Sequence, residues 1–88
     1  MGAAKLPKLG SLVEVTWLDA VGYIGADQSE AKPSTCITIG RLMAVKRQSL
    51  VLATSLYEDG SGDFTVLPKS MLLEVKRIPH RPAQAPKA

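Results

Sequence analysis

Few residues of this 88-residue chain carry reactive chemistry, and they stand apart from one another. Cys36 is the only cysteine and His80 the only histidine, and His80 follows Pro79 in a proline-rich end. A nucleophile needs a base within hydrogen-bond reach, so Cys36, at the start of a β-type run, reads as a small apolar side chain. One cysteine makes no disulfide, and one cysteine with one histidine makes no zinc set. Acids gather twice, as Glu58 and Asp59 with Asp63, and as Asp19 with Asp27 and Glu30. Asp59-Gly60-Ser61-Gly62-Asp63 lacks the spacing and closing glutamate of a calcium loop and reads as a solvated hairpin turn. Gly22-Tyr23-Ile24-Gly25 opens no helix, so it reads as turn chemistry and not as a phosphate loop. No catalytic, cofactor-binding or metal-ligating residue is expected, and the chain reads as a non-enzyme.

Charge offers more. The formal net charge is +3, but Lys5, Lys8, Arg81 and Lys87 lie outside residues 11–78. Within that span seven Lys and Arg face eight Asp and Glu, so the excess of positive charge sits on the two ends. Lys46-Arg47 and Lys76-Arg77 close two strand-like runs, and with Lys69 and Arg81 they are the candidate contacts to nucleic-acid phosphates. The competing reading is that they are solvated strand ends where Lys discourages stray pairing. Aromatics for stacking on bases are few: Trp17, Tyr23, Tyr57 and Phe64. RNA or DNA binding therefore stands as the alternative to protein binding.

The elements that must carry these residues are strands. Val, Ile, Thr and Trp crowd Leu12–Asp19, Thr35–Tyr57 and Phe64–Ile78, and no apolar period of 3.6 persists. Breaks at Lys46–Ser49 and Pro68–Ser70 divide them into five strands: Leu12–Leu18, Thr35–Lys46, Leu50–Tyr57, Phe64–Leu67 and Met71–Ile78. Val13, Val15 and Trp17 share one face of the first, with Trp17 at the centre of the core and its indole N–H seeking a partner. Gly40 lies midway along the second and marks a bend, with Ile37, Ile39, Leu42 and Ala44 expected to face inward. The fold class is all-β: a five-stranded, strongly bent antiparallel small barrel.

Between the first two strands, residues 19–34 form a long loop, and long loops in small domains are commonly functional. Its Asp19, Tyr23, Ile24, Asp27 and Glu30 are the candidate protein-interaction residues, with Tyr23 and Ile24 folding back as a lid. One helical turn fits Asp27–Lys32, and a 3₁₀ turn fits Pro68–Ser70. Residues 1–10 read as a flexible leader, 11–78 as the barrel domain, and 79–88 as a disordered basic, proline-rich tail. One small domain without disulfide or metal commonly gains stability by assembly, so a homo-oligomer is expected. A lone cysteine, no apolar leader and no membrane-length apolar run point to a cytoplasmic protein without membrane attachment.

Three residue groups resemble a set of uncharacterised small proteins of bacteriophage genomes: Val13-Glu14-Val15-Thr16-Trp17-Leu18-Asp19-Ala20, Ile39-Gly40-Arg41-Leu42 and Val66-Leu67-Pro68-Lys69-Ser70. The likeness covers about residues 12–78 and implies a phage accessory protein in the host cytoplasm, with a host or phage protein as partner. The strand order also resembles the Sm-like fold, whose Gly-x-Leu on a bent second strand matches Gly40 and Leu42, while SH3-like barrels share the strand count. Sm-like relatives join strand edges between subunits into rings, which implies the same assembly here. Their Asp-to-Asn and Arg-Gly RNA-binding motifs are missing: the equivalent turns read Lys46-Arg47-Gln48-Ser49 and Pro68-Lys69-Ser70.

Overall fold

A computed structural model describes residues Lys5–Pro79. Five strands follow in chain order: β1 (Leu12–Asp19), β2 (Ser34–Val45), β3 (Ser49–Leu56), β4 (Gly62–Pro68) and β5 (Leu72–Arg77). Single 3₁₀ turns stand at Gln28–Glu30 and Lys69–Met71, and no α-helix occurs among the described residues. The strands form one antiparallel sheet in the order β4-β3-β2-β1-β5. β4 and β5 are its two edges, and no ladder joins them.

β2 serves two neighbours, as its length of twelve residues requires. Ser34 to Arg41 pair with β1, while Arg41 to Val45 pair with β3, so the strand changes partner at Arg41. The irregularity in the β2–β3 ladder falls between Leu42 and Ala44, just past Gly40. Gly40 has another task. A Cβ there would stand 2.6 Å from the Ala53 carbonyl oxygen, so glycine lets β2 and β3 approach closely.

Among the described residues no second layer covers the sheet, and its apolar face is buried by curling. Val13, Val15, Leu42, Leu50, Leu52, Leu67 and Leu72 form one core cluster, drawn from all five strands. Leu67 and Leu72 come from the two edge strands, so both edges turn toward the same core. Each such side chain contributes roughly 1.5–3 kcal/mol when taken out of water.

Two expectations about facing need correction. Ile37 and Ile39 are 63% and 53% exposed, and the inward set on β2 is Cys36, Thr38, Gly40 and Leu42. Directly paired residues share a sheet face, and Thr38 pairs with buried Val15 while Ile39 pairs with Glu14. Trp17 supplies the reason. Its indole N–H donates to Thr38 Oγ1 at 2.9 Å, and a one-residue slip would remove that acceptor. Trp17 itself packs against the rim of the core and is not at its centre. Ala44, expected inward, pairs past the ladder irregularity with Val51 and so shares its outward side, half-buried. Cys36, paired with Trp17, is half-buried as well.

Residues 5–10, read above as part of a leader, are tied to the sheet. Leu6 packs against the core, Gly10 N–H donates to the Leu42 carbonyl at 2.7 Å, and Leu42 N–H donates to Ser11 at 2.9 Å. Residues 80–88 lie outside the described residues. Gly40→Ala should cost roughly 1–3 kcal/mol in urea unfolding, because the added methyl meets backbone and not a yielding side chain. Gly22→Ala, into open space at an ordinary φ, should stay within about 0.5 kcal/mol.

Candidate interaction surface

The candidate cations do not form one patch. Arg47 and Lys69 come together: both line an open hollow of about 440 Å³ with Gln48, Pro68 and Ser70. The two turns are pinned there by the Lys69 N–H donating to the Gln48 carbonyl at 2.8 Å. Lys46 precedes Arg47, and its N–H donates to the Ser49 carbonyl, closing the β2–β3 turn. Lys76 and Arg77 are elsewhere, on β5 opposite Glu14 and Val13 of β1. Lys76 therefore faces an acid across the ladder, whereas Arg77 lines a hollow with Lys5 and Lys8. Arg81 lies outside the described residues.

The loop candidates are all on the surface. Asp19, Tyr23, Ile24, Asp27 and Glu30 are exposed, as is every residue from Asp19 to Thr35. Ile24 is wholly in solvent, so the expected fold-back of Tyr23 and Ile24 as a lid does not occur. The loop is held by its own contacts: the Tyr23 hydroxyl donates to the Lys32 carbonyl at 3.1 Å, and the 3₁₀ turn spans Gln28–Glu30.

Apolar exposure is the feature that residue types alone did not reveal. Phe64 and Val66 on edge strand β4, and Leu73 on edge strand β5, are each about half exposed. Met71, just before β5, is exposed too. On β2, Ile37 and Ile39 line the outward side, and Met43, within the ladder irregularity, and Val45, paired with buried Leu50, are exposed as well. Ile39 with Leu12, Ala53 and Leu56 lines a hollow of about 290 Å³. Of these residues Ile37 and Ile39 were expected inside, since hydrophobicity does not say which face of a strand is inward. The Trp17–Thr38 pair was the signal that could have placed them.

The acidic turn between β3 and β4 is satisfied internally. Asp59 Oδ1 accepts from the Ser61 hydroxyl and from Ser61 N–H at 2.9 Å, which hold its carboxyl below the usual range. Gly60 takes a left-handed φ of 88° at the tip, and Tyr57 N–H donates to Ser61 at 2.8 Å. The Tyr57 hydroxyl donates to Asp63 Oδ2, and this bond, ahead of any loss of solvent, raises the phenol above its ordinary value. Among the described residues no group of three His, Cys, Asp or Glu is placed to hold a metal. None of their helices is long and apolar enough to cross a membrane.

No protein-family model matches the chain, and neither the curated proteins nor the solved structures yield a match.

The raised Tyr57 value has a definite sign. The fold favours the protonated phenol, so that contribution is complete below the ordinary phenol pKa and is lost as pH rises through the raised value. In a Tyr23→Phe background, Asp63→Asn should move the phenolate absorbance midpoint down toward that of free tyrosine. An unchanged midpoint would remove the Tyr57–Asp63 bond from the account.

Proposed function

We propose that this protein is a non-catalytic, self-associating interaction module of phage type, built as a small barrel of Sm-like or SH3-like kind. The observation that carries the proposal is the pair of free strand edges, β4 and β5, each bearing exposed apolar side chains. An unpaired edge presents a row of N–H and C=O groups that another strand can take up. Since one copy offers β4 and another offers β5, the contact is head-to-tail and closes into a ring when the rotation per subunit divides a full turn. The sheet order and the single core shared by both edges support the small-barrel form. The phage assignment rests on the residue groups at 13–20, 39–42 and 66–70.

A host or phage protein is the proposed partner of the assembled module. The exposed loop of residues 19–34, with Tyr23 and Ile24 outward, and the outward isoleucines of β2 are its proposed contacts. A second reading has its own support: Arg47 and Lys69 meet in one hollow between two turns, where RNA or DNA phosphates can be gripped.

Light scattering should return a mass that is a multiple of the 9.4 kDa chain. Val66→Lys and Leu73→Lys, both exposed in the single copy, should leave the circular-dichroism spectrum intact and lower the mass to that of one chain. A wild-type mass near one chain at high concentration would end the self-association proposal.

A further inference from the structure

We infer that the corner where the N-terminal segment meets the end of β5 is a binding track for the phosphate backbone of a nucleic acid. All eight acids of the chain lie between Glu14 and Glu74, so the first 13 residues and the residues after 74 contain no carboxylate side chain. The fold brings these two acid-free stretches together: Ile78 N–H donates to the Leu12 carbonyl at 2.9 Å. It also adds a cation from the middle of the chain. Arg41, on β2, donates one guanidinium N–H to the Gly10 carbonyl at 2.9 Å, leaving its other donors for a ligand.

Two open hollows, of about 470 and 310 Å³, adjoin at this corner and share Lys8, Ser11 and Arg77. Lys5 lines the first and Arg41 the second, and no Asp or Glu lines either. The nearest acid along β1 is Glu14, which lies opposite Lys76, and Lys76 is therefore left out of the set. Lys5, Lys8, Arg77 and Arg41 thus form a run of cations along a continuous groove, not a closed socket. Regularly spaced phosphates suit such a run, and the counterions they release make the binding salt-dependent. An anionic membrane suits it less well. A surface-seated element needs an apolar face beside its cations, whereas here Leu6 is packed into the core and Leu9 alone stands out. The inference is independent of self-association and concerns residues other than the Arg47–Lys69 hollow.

The test is fluorescence anisotropy of the full chain with a labelled duplex of roughly 20 base pairs, over a salt series from about 50 to 200 mM. Four phosphate contacts should give a slope of log affinity on log salt of roughly −3 to −4, close to a 100-fold loss across that range. Lys8→Ala with Arg77→Ala should weaken binding and reduce the slope by about 2. Lys5→Ala with Lys8→Ala, outside every strand, should do likewise with the circular-dichroism spectrum unchanged, which separates lost contacts from lost fold. No binding at about 50 mM salt would overturn the inference, as would affinity unmoved by either double variant. Loss confined to Arg47→Ala with Lys69→Ala would also overturn it while supporting the turn site. Capture by phosphatidylserine vesicles in place of the duplex, with the same dependence on Lys8 and Arg77, would reassign the corner to a membrane surface.

Discussion

Among the described residues one sheet must use its own curvature to keep its apolar face dry. That constraint governs the rest of this molecule. Leu67 and Leu72 lie on opposite edges, yet they reach one core with Val13, Val15, Leu42, Leu50 and Leu52. Such curvature demands a strand that changes partner midway, which β2 does at Arg41. It also demands a place where two backbones come too close for a Cβ, which Gly40 supplies against Ala53. The Trp17–Thr38 hydrogen bond then holds the register that keeps Leu42 in and Ile39 out.

The same curvature sets what is left outside. Eight buried apolar side chains fill so small a core, and many large apolar residues stand exposed on the sheet, as Ile37, Ile39, Phe64, Val66 and Leu73 do, or in the loops, as Tyr23 and Ile24 do. In a single copy these side chains are exposed surface. The charges divide differently. Arg47 and Lys69 meet at the turns that join β2 to β3 and β4 to β5, whereas Arg77 meets Lys5, Lys8 and Arg41 at another corner. A chain with almost balanced charge in its body can therefore present cations densely in two places, because acids and bases are sorted by position before folding sorts them in space.

Much of the strand plan was legible. Breaks at Lys46–Ser49 and Pro68–Ser70 mark real turns because charge and proline end ladders, and the five runs lie within about two residues of β1 to β5. The indole of Trp17 found the acceptor that its buried edge requires. Less legible was the facing of β2. Isoleucine outweighs threonine on any hydrophobic scale, so Ile37 and Ile39 looked internal, but a hydrogen bond to Trp17 put Thr38 inside instead. The candidate cations were legible as residues, but which of them meet in space was not. Lys76 and Arg77 follow one another in sequence, yet neighbouring residues of a strand point to opposite faces, and they meet different partners.

Local chemistry along the chain was enough to determine strand type, strand number and the polar character of the turns, because branched side chains, glycine and proline act on their own backbone. Register, facing and the meeting of distant charges were decided only by tertiary structure. Leu6 and Gly10 read as part of a loose leader until the core took up the first and the Leu42 carbonyl the second. Arg41 stands some thirty residues from Gly10 in the chain and a hydrogen bond away in the fold. Pairings of that range depend on which sheet face is buried, and a single sheet settles that only when all five strands contribute to one core.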